Sequence, residues 1–375
     1  MATIKDVATK AGVSVATVSY VLNDSRGTRP ETRERVQAAV RELGYVHNAA
    51  ARQLAAGRSN MLGLVVPEIT NPFFPEVILG FQDQALLHDI DTLVMNTNSD
   101  AQRVRTCVDR LLALRVPGIA IISSSIDPSV IARLAEKEVA GVYFDIGRVD
   151  RWIQNIVIDF ESGIAEALEH LKELGHERIG FIGGPQHFRS HQRRKRAFLE
   201  SSQKSGQLVG RIVESDLTVQ GGYFACSKLL ADFAPTAVFA ANDLMGIGAM
   251  HCAHDKGIPV PSELSVVGTD DISLAQYMNP ALTTVAVPRN KMGAVAFQAV
   301  WELVSGSAET GSEHIVETSL IVRQSSGAVT QRAASRRAGV QTGMTKRSPA
   351  RRSVRVDAPS TRLNTFSKTP FGPEA

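Results

Sequence analysis

Cysteine is scarce in this sequence, and the three residues present stand apart from one another. Cys107, Cys226 and Cys252 form no CxxC pair and have no histidine at metal-ligand spacing, which argues against a disulfide framework and a zinc site. No apolar run reaches the roughly 18 residues that a membrane span needs. Met1 is not followed by a charged segment and an apolar stretch, so we expect no signal peptide. These absences predict a cytoplasmic protein without a metal or a membrane partner.

Catalytic signatures are missing as well. The sequence contains no GxGxxG, GxxxxGK[ST], GxSxG or HExxH motif, the patterns of dinucleotide, nucleotide, acyl-transfer and zinc-hydrolase sites. The glycine-rich turn that ends at Pro185 has the wrong spacing for a dinucleotide fingerprint and would let the backbone approach a ligand. The nine histidines form no cluster. We therefore predict no catalytic residue and no cofactor. An α/β enzyme remains an alternative, although the sequence offers no set of residues that could form its catalytic site.

Charge is unevenly distributed along the 375 residues. The net charge of +3 combines +4 over residues 1–60, +8 over residues 330–375 and −9 over the sequence between them. Basic ends on an acidic body indicate that the ends, rather than the body, meet a polyanion. The last segment is rich in Ser, Thr, Pro and Arg, which is typical of a disordered tail. It has no leucine heptads, so no tetramerising coiled coil is predicted.

Residues 1–47 have the pattern of a small three-helix domain. Thr3 opens the first helix with a capping-box pattern, and Gly12 ends it where a tight turn needs a positive φ. Ser14 can cap the second helix. The third helix begins near Pro30, which suits a first helical position, and stops at Gly44. On helix pattern alone, an unrelated three-helix unit remains the alternative to a DNA-binding domain.

Three positions favour the DNA-binding alternative. Ala8, Gly12 and Val18 have the spacing by which a helix-turn-helix fixes the angle between its two helices. The residues around them closely resemble the head-piece of the lactose-repressor (LacI/GalR) family, nearly continuously over residues 3–59. The matching stretches are Thr3-Ile4-Lys5-Asp6-Val7-Ala8, Ala11-Gly12-Val13-Ser14, Thr17-Val18-Ser19, Val21-Leu22-Asn23, Thr32-Arg33, Val36, Leu43-Gly44-Tyr45, Asn48, Ala51-Arg52-Gln53-Leu54 and Arg58-Ser59.

The resemblance implies that residues 15–22 form a recognition helix in the major groove of DNA. The implied contacts from this region are Ser14, Val15, Ala16, Thr17, Ser19, Tyr20 and Asn23, with Val15, Ala16 and Tyr20 at base-reading positions and the others on phosphates. Val15 and Ala16 can only pack on groups such as a thymine methyl, so Tyr20 would carry more of the polar discrimination. One residue departs from the family pattern: Arg29 stands where a serine cap is usual, so either Thr28 caps the third helix or the cap is weak.

Residues 48–59 resemble the hinge helix of the same family. The segment is short, alanine-rich and helix-prone, and an isolated helix of this length is marginal in water. The resemblance implies that it folds on DNA, where Asn48 and Arg52 contact the duplex and Leu54 wedges into the central base step of the minor groove. A plain interdomain linker is the alternative interpretation.

From Met61 to about Gly327, short β-branched runs alternate with amphipathic segments. The predicted strands are Leu62–Val66, Thr92–Met95, Ile119–Ile122, Val139–Phe144, Ile156–Ile158, Ile179–Ile182, Ala237–Ala240, Ser265–Val267 and Thr284–Val287. Such continuous apolar runs are typical of parallel strands covered on both faces, and their alternation with helices predicts doubly wound α/β sheets. Two such halves fit the length, and a single large α/β domain is the alternative.

The body resembles the periplasmic-binding-protein-like core of the same family, so that the likeness covers about residues 3–329. It implies an effector-binding core of two subdomains, about 60–159 plus 288–318 and about 160–287 plus 319–329, followed by a tail at 330–375. The matching positions imply an effector site formed by Phe73, Phe74, Asp145, Arg194, Asn242 and Asp270. Aromatic faces suit a sugar ring or a base, and the charged groups suit hydroxyls.

These features predict a sequence-specific transcriptional regulator, as a rule a repressor in this family. A small molecule, of the sugar or a related class, would alter its affinity for a palindromic DNA operator. A homodimer is expected because a two-fold protein reads a palindrome, with the helix at 74–89 as a candidate interface through Phe74, Val77, Ile78, Phe81 and Ala85. A sugar-binding receptor without DNA function is the alternative, although it leaves residues 3–59 unexplained.

The run from Arg189 to Arg196 is unusually basic. We interpret it mainly as a solvated helix face. A second hypothesis is that Arg189 or Arg193 meets an anionic effector such as a sugar phosphate.

Overall fold

The computed structural model describes residues 2–22, 28–45, 59–123, 126–147, 149–206 and 208–330. The predicted DNA contacts Asn23, Asn48, Arg52 and Leu54, and almost all of the predicted tail, lie outside the described residues.

Three helices at the N-terminus pack around one small core. They are α1 (Ile4–Ala11), α2 (Val15–Leu22) and α3 (Pro30–Leu43). Thr3 and Asp6 form the predicted capping box, and Gly12 has a φ of 61°. Val18 and Val36 are completely buried between the helices. Arg29 precedes α3 without a side-chain capping bond, so the weak cap is the interpretation that the structure supports.

The body contains two six-stranded sheets. The first has the order β2-β1-β3-β4-β5-β11 and its paired strands are all parallel; the second has the order β7-β6-β8-β9-β10-β12, in which β10 and β12 pair antiparallel. The strands are β1 (Met61–Val66), β2 (Asp91–Asn96), β3 (Gly118–Ile121), β4 (Ala140–Phe144), β5 (Ile153–Asp159), β6 (Arg178–Gly183), β7 (Leu208–Glu214), β8 (Ala237–Ala240), β9 (Ser265–Asp270), β10 (Thr283–Ala286), β11 (Glu313–Glu317) and β12 (Ser319–Ile321).

Helices cover both faces of the sheets. They are α4 (Phe73–Leu87), α5 (Ala101–Ala113), α6 (Pro128–Glu136), α7 (Phe160–Glu173), α8 (Arg189–Ser205), α9 (Val219–Asp232), α10 (Asp243–Asp255) and α11 (Arg289–Ser305). In β1, Leu64 packs with α4 and α11 whereas Val65 packs with α5 and α6. Adjacent residues of one strand therefore point into different cores, and the predicted pair of doubly wound sheets is confirmed.

The chain passes between the halves three times. We call the unit built on the first sheet the first half and the unit built on the second sheet the second half. The crossings follow β5, follow β10, and lie between β11 and β12. β5 and β11 are neighbours in the first sheet, and β10 and β12 are neighbours in the second. The crossings therefore leave from two adjacent strands at one side of each sheet, and the halves are joined on that side.

Close helix pairs occur in both halves. A Cβ added to Gly248 of α10 would lie 1.9 Å from the carbonyl oxygen of Val219 at the start of α9. In the first half, a Cβ on Gly293 of α11 would lie 2.0 Å from the carbonyl oxygen of Val77 in α4. Only glycine fits at these positions, because any side chain would occupy the space of the neighbouring backbone.

The helix proposed as a dimer interface presents a different face from the expected one. Val77, Phe81 and Ala85 are buried within the subunit, where α4 packs on α11. Leu86 and Leu87 are instead 74% and 77% exposed. The expectation was wrong on the face because α4 is apolar on both sides, and the sequence pattern does not tell which side a neighbouring helix covers.

Candidate functional site

The recognition helix α2 turns its predicted base-reading side chains to solvent. Val15 and Tyr20 are 40% and 60% exposed, and Ala16 is exposed beside them. Val18 and Val21 face the core from the other side of the helix.

Of the residues predicted on phosphates, Ser14 and Thr17 lie at the start of the helix and Ser19 lies further along it. Ser14 caps α2 by accepting a hydrogen bond from the Thr17 amide at 3.1 Å, and the two hydroxyls are 2.9 Å apart. Thr17 and Ser19 are half-buried. The row predicted to face DNA is therefore short, apolar at its start and polar at Tyr20.

An arginine that sequence reasoning missed holds the turn between α1 and α2. The guanidinium of Arg35, on α3, donates from Nε to the carbonyl of Ala11 at 3.1 Å and from Nη2 to that of Gly12 at 3.1 Å. Its partners lie 23 and 24 positions earlier in the chain, so no local pattern could have indicated them. Arg35 thereby fixes the turn that sets the angle of the recognition helix.

Arg35→Met is expected to lower the preference for operator over random DNA by about tenfold, the size of one lost base contact. The physical reason is that α2 loses its fixed angle while its phosphate contacts persist. Fluorescence anisotropy with both DNAs over a salt series measures the effect. If Arg35 instead touched a phosphate, the slope of log K against log salt would fall by about 0.9.

Arg41→Met is the matched control, because Arg41 is exposed on the same helix and carries the same charge. It should leave the preference for operator unchanged, and Arg35→Lys should restore part of it. An equal loss in Arg35→Met and Arg41→Met would contradict the positioning role.

A cavity of about 790 Å³ lies between the two halves. Its walls are formed by loops and helix starts that follow the carboxyl ends of the strands, where open α/β sheets bind ligands. All six predicted effector positions line it, namely Phe73, Phe74, Asp145, Arg194, Asn242 and Asp270. Residues that the sequence analysis did not single out line it too, including Asn71, Asn98, Ser99, Phe160, Ser190, His191 and Thr218.

Arg194 and Asp270 form a buried ion pair in the cleft. Nη2 of Arg194 donates to Oδ1 of Asp270 at 2.9 Å, and Nη1 donates to the carbonyl of Ala241. The guanidinium also lies over the ring of Phe160, 4.3 Å from its centroid. Burial raises the pKa of the Asp270 carboxyl, and the charge of Arg194 opposes that rise. The pair presents fixed donors and acceptors in a largely buried part of the cavity wall, which suits polar ligand groups.

The other predicted positions differ in how much exposed surface and how many free hydrogen-bonding groups they offer a ligand. Phe73 is buried and meets Phe74 edge to face, with ring centroids 5.1 Å apart, so Phe74 is the more open of the two rings. Asn242 accepts from the amide of Met245 at 2.8 Å and donates to the carbonyl of Leu217 at 3.0 Å. Its amide therefore caps α10 and holds a cleft loop in place.

Asp145 does not stand free in the cleft. Its side chain is 5% exposed and forms an ion pair with Arg193 of α8. The interpretation of the basic run as a solvated face was wrong for Arg193 and Arg194, because both guanidinium groups are buried or half-buried against carboxylates. Their partners lie 48 and 76 positions away in sequence, so charge counting along the helix could not reveal them.

His191 is a buried imidazole in the cleft wall. Burial, with the nearby charges of Arg194 and His187, lowers its pKa from 6.5 to about 3. The unfolded chain therefore binds a proton between about pH 6.5 and 3 that the folded chain does not bind. The contribution of His191 to the free energy of unfolding is therefore fully present above pH 6.5. It is lost as the pH falls toward 3, by up to about 1.4 kcal/mol per pH unit.

His191→Gln is expected to flatten that part of the pH dependence. Urea denaturation across the window measures it, by comparing the change in unfolding free energy between variant and parent. His254→Gln is the control, because His254 is exposed on α10 and is not among the groups that lower the pKa of His191. An unchanged slope in His191→Gln would show that His191 does not stay neutral in the folded protein.

Within the described part of the chain, no group of three or more His, Cys, Asp or Glu side chains could hold a metal ion. No helix in the described ranges is both long and apolar enough to cross a membrane.

Two family models match the chain. Residues 3–48 match the model of bacterial regulatory proteins, lacI family, and residues 168–326 match a periplasmic binding protein-like domain. Catabolite control protein A of Priestia megaterium is 32% identical over 319 residues, which cover 84% of this chain and 96% of that protein. The HTH-type transcriptional repressor PurR of Pectobacterium carotovorum is 33% identical over 331 residues, covering 87% and 97%.

Solved structures agree with these matches. The lac repressor dimer bound to operator and the anti-inducer ONPF superposes with a TM-score of 0.81 at 29% identity, covering 87% of this chain and 99% of that one. The transcriptional regulator CelR in complex with cellobiose has a TM-score of 0.66 at 30% identity, covering 87% and 100%. With its helix-turn-helix and two-halved body, the chain belongs to the LacI family of bacterial regulatory proteins and is a DNA-binding transcriptional regulator.

Proposed function

We propose that the cleft binds a small, uncharged ring compound with several hydroxyl or amide groups, of the carbohydrate or nucleobase class, and that its occupancy changes operator affinity. The observation that carries the proposal is one cavity of about 790 Å³ whose wall combines Phe74 with the buried Arg194–Asp270 pair. An aromatic face supports stacking of a flat or ring-shaped ligand, and the ion pair supports hydrogen bonds to its rim.

The proposal disfavours an anionic effector. Arg193 is already shared between two carboxylates, and Arg194 is paired with Asp270. Arg189 is the remaining basic residue of the run that lines the cavity, and it donates to the carbonyl of Ile146 at 3.1 Å. A phosphate would therefore meet few uncompensated positive charges.

On the DNA side, the proposal is a repressor in the cytoplasm that reads a palindromic operator as a homodimer. Base reading is assigned to Val15, Ala16 and Tyr20, and phosphate contacts to Ser14, Thr17, Ser19 and Asn23. The hinge at 48–59 supplies the contacts of Asn48 and Arg52 and the wedge of Leu54. The domain limits follow the same scheme: 1–47, the hinge, two subdomains within 60–329, and the tail at 330–375. No catalytic step is assigned.

Exposed apolar side chains support a dimer. Leu79 and Leu86 on α4 are 54% and 74% exposed, and Phe224 and Tyr277 in the second half are 61% and 78% exposed. Where such groups form a contiguous patch, they mark a contact with another protein. Analytical ultracentrifugation tests this point, since Tyr277→Lys and Leu86→Lys should shift the protein toward monomer.

A binding assay with selected operator DNA tests the function. DNA fragments that the protein selects from a random pool are labelled, and anisotropy is followed with a panel of sugars, nucleobases, nucleosides and sugar phosphates. The expected result is that a neutral member of the panel changes operator affinity at least tenfold, within the usual range of allosteric coupling. A response to phosphorylated members alone would overturn the proposed ligand class. Ligand binding without any DNA binding would favour the receptor alternative.

A further inference from the structure

Two arginines of α8, in the second half, form hydrogen bonds with residues of the first half. Arg189 and Arg193 are four residues apart, so they lie on one face of the helix. Arg189 donates to the carbonyl of Ile146 at 3.1 Å, and Arg193 donates to the carboxylate of Asp145. Both acceptors belong to the segment directly after β4, in the first half. We propose that Arg193, supported by Arg189, is the residue that sets the angle between the halves and through which an effector changes it.

This inference rests on the proposed function of the cleft as an effector site. Helix α8 carries both the residues that line the cavity and the arginines that contact the first half. Ser190, His191 and Arg194 line the cavity from the same two turns of α8 that carry the two bridging arginines. A ligand that touches those turns therefore acts directly on the helix that holds the first half.

The Arg193 bridge has two arms with different roles. One arm crosses to Asp145, and the other reaches Oε2 of Glu161 at 2.9 Å. Glu161 is in the first turn of α7, which packs against α8 and the second sheet, so this arm stays within the second half. It orients the guanidinium while the first arm crosses the cleft.

Burial of the Arg193–Asp145 pair favours one angle between the halves. The side chains of Arg193 and Asp145 are 19% and 5% exposed, so neither charge is well hydrated without the other. A carboxylate that loses its cation while it stays buried is strongly disfavoured, because burial has already removed most of its hydration. The halves therefore favour the angle at which the two groups meet. A ligand changes that angle only if it binds more tightly at another one.

Another arginine also joins the halves but does not serve this purpose. Arg289 donates to Glu76 at 2.8 and 2.9 Å and to the backbone carbonyl of Asp270 at 2.5 Å. It follows the crossing between β10 and α11 directly. The chain itself already joins the halves next to Arg289. Arg289 therefore stabilises this crossing, and the angle between the halves depends on the Arg193 bridge.

Distances between spin labels test the bridge without any effector. Lys137→Cys in the first half and Lys172→Cys in the second provide exposed labelling sites, and the three native cysteines are buried. Labelled subunits are diluted with an excess of unlabelled ones, so that pulsed paramagnetic resonance reports distances within one subunit. The parent should have one narrow distribution. Arg193→Met should broaden it and shift it.

Four further variants distinguish the bridge from a general effect on α8. Asp145→Asn, which changes little in size, should reproduce the change, and the double variant should add nothing to it. Arg196→Met removes an exposed arginine of the same helix. Glu161→Gln removes only a negative charge within the second half, since its amide oxygen can still accept from Arg193. Both should keep the narrow distribution. Parent-like distributions in both Arg193→Met and Asp145→Asn would overturn the inference, as would equal broadening in Arg196→Met.

The two proposals fail in different ways. The label distances involve no effector, so an unaffected distribution rejects the bridge alone. An operator complex that ignores every member of the ligand panel rejects the proposed function and leaves the distances as they are.

Discussion

Arg194→Met is expected to abolish the effector response and to destabilise the protein by about 3–5 kcal/mol, the usual effect of removing one partner from a buried ion pair. Asp270 is 5% exposed and would keep a buried charge without its cation. The carbonyl of Ala241 and the ring of Phe160 would lose the same guanidinium. Urea denaturation measures the stability. The operator assay with the effective panel member measures the response.

The control for this prediction is Arg196→Met, two positions further along α8, where the arginine is exposed. It should change the unfolding free energy by less than about 0.5 kcal/mol, as is usual for surface positions. Asp270→Asn provides a second route, because the amide keeps the size of the carboxylate while losing its charge. A full effector response in folded Arg194→Met would remove Arg194 from the ligand site.

Gly248→Ala is expected to destabilise the second half by about 1–3 kcal/mol or more, the usual range for an overpacked core. The added Cβ would lie 1.9 Å from the carbonyl oxygen of Val219 and 2.7 Å from the amide nitrogen of Tyr223. Both are backbone atoms, so the strain is relieved only if α9 and α10 move apart. The unfolding free energy from urea denaturation measures the effect.

Gly246→Ala, on the same helix, is the matched control. Its Cβ would approach the end of the Leu282 side chain at 3.3 Å, and that side chain can move aside. Alanine is favoured over glycine in a helix by up to about 1 kcal/mol, so this variant should match or exceed the parent in stability. If both variants behaved alike, the close approach of α9 and α10 would not be a source of stability.

The α/β alternation was predictable because buried parallel strands are continuous apolar runs. The strand at Ala237–Ala240, for example, is completely buried and was placed at the same residues. β7, β11 and β12 were missed. The β11 sequence EHIVE and the β12 sequence SLI are short, with mostly exposed or half-buried side chains, so they have no apolar run to detect. Edge strands owe their place to backbone pairing, which leaves little trace in side-chain pattern.

The candidate site was predictable only in part. Aromatic and polar residues after strands could be named from a family resemblance, and the structure places all of those six around one cavity. The partners of the arginines could not be predicted. Arg35, Arg193 and Arg194 each bond to residues at least 23 positions away, and pairing over such separations depends on the tertiary fold.

The three chain crossings have a mechanical consequence. Each half has a helix pair packed closely through glycine, which opposes sliding of those helices when a ligand arrives. The crossings leave from two adjacent strands at one side of each sheet, so relative movement of the halves is expected mainly as opening and closing about that side. Under the proposed function, a ligand in the cleft would therefore act on the DNA mainly through the angle of opening. Ligands that induce and ligands that oppose induction would then differ in the direction and size of the change in that angle.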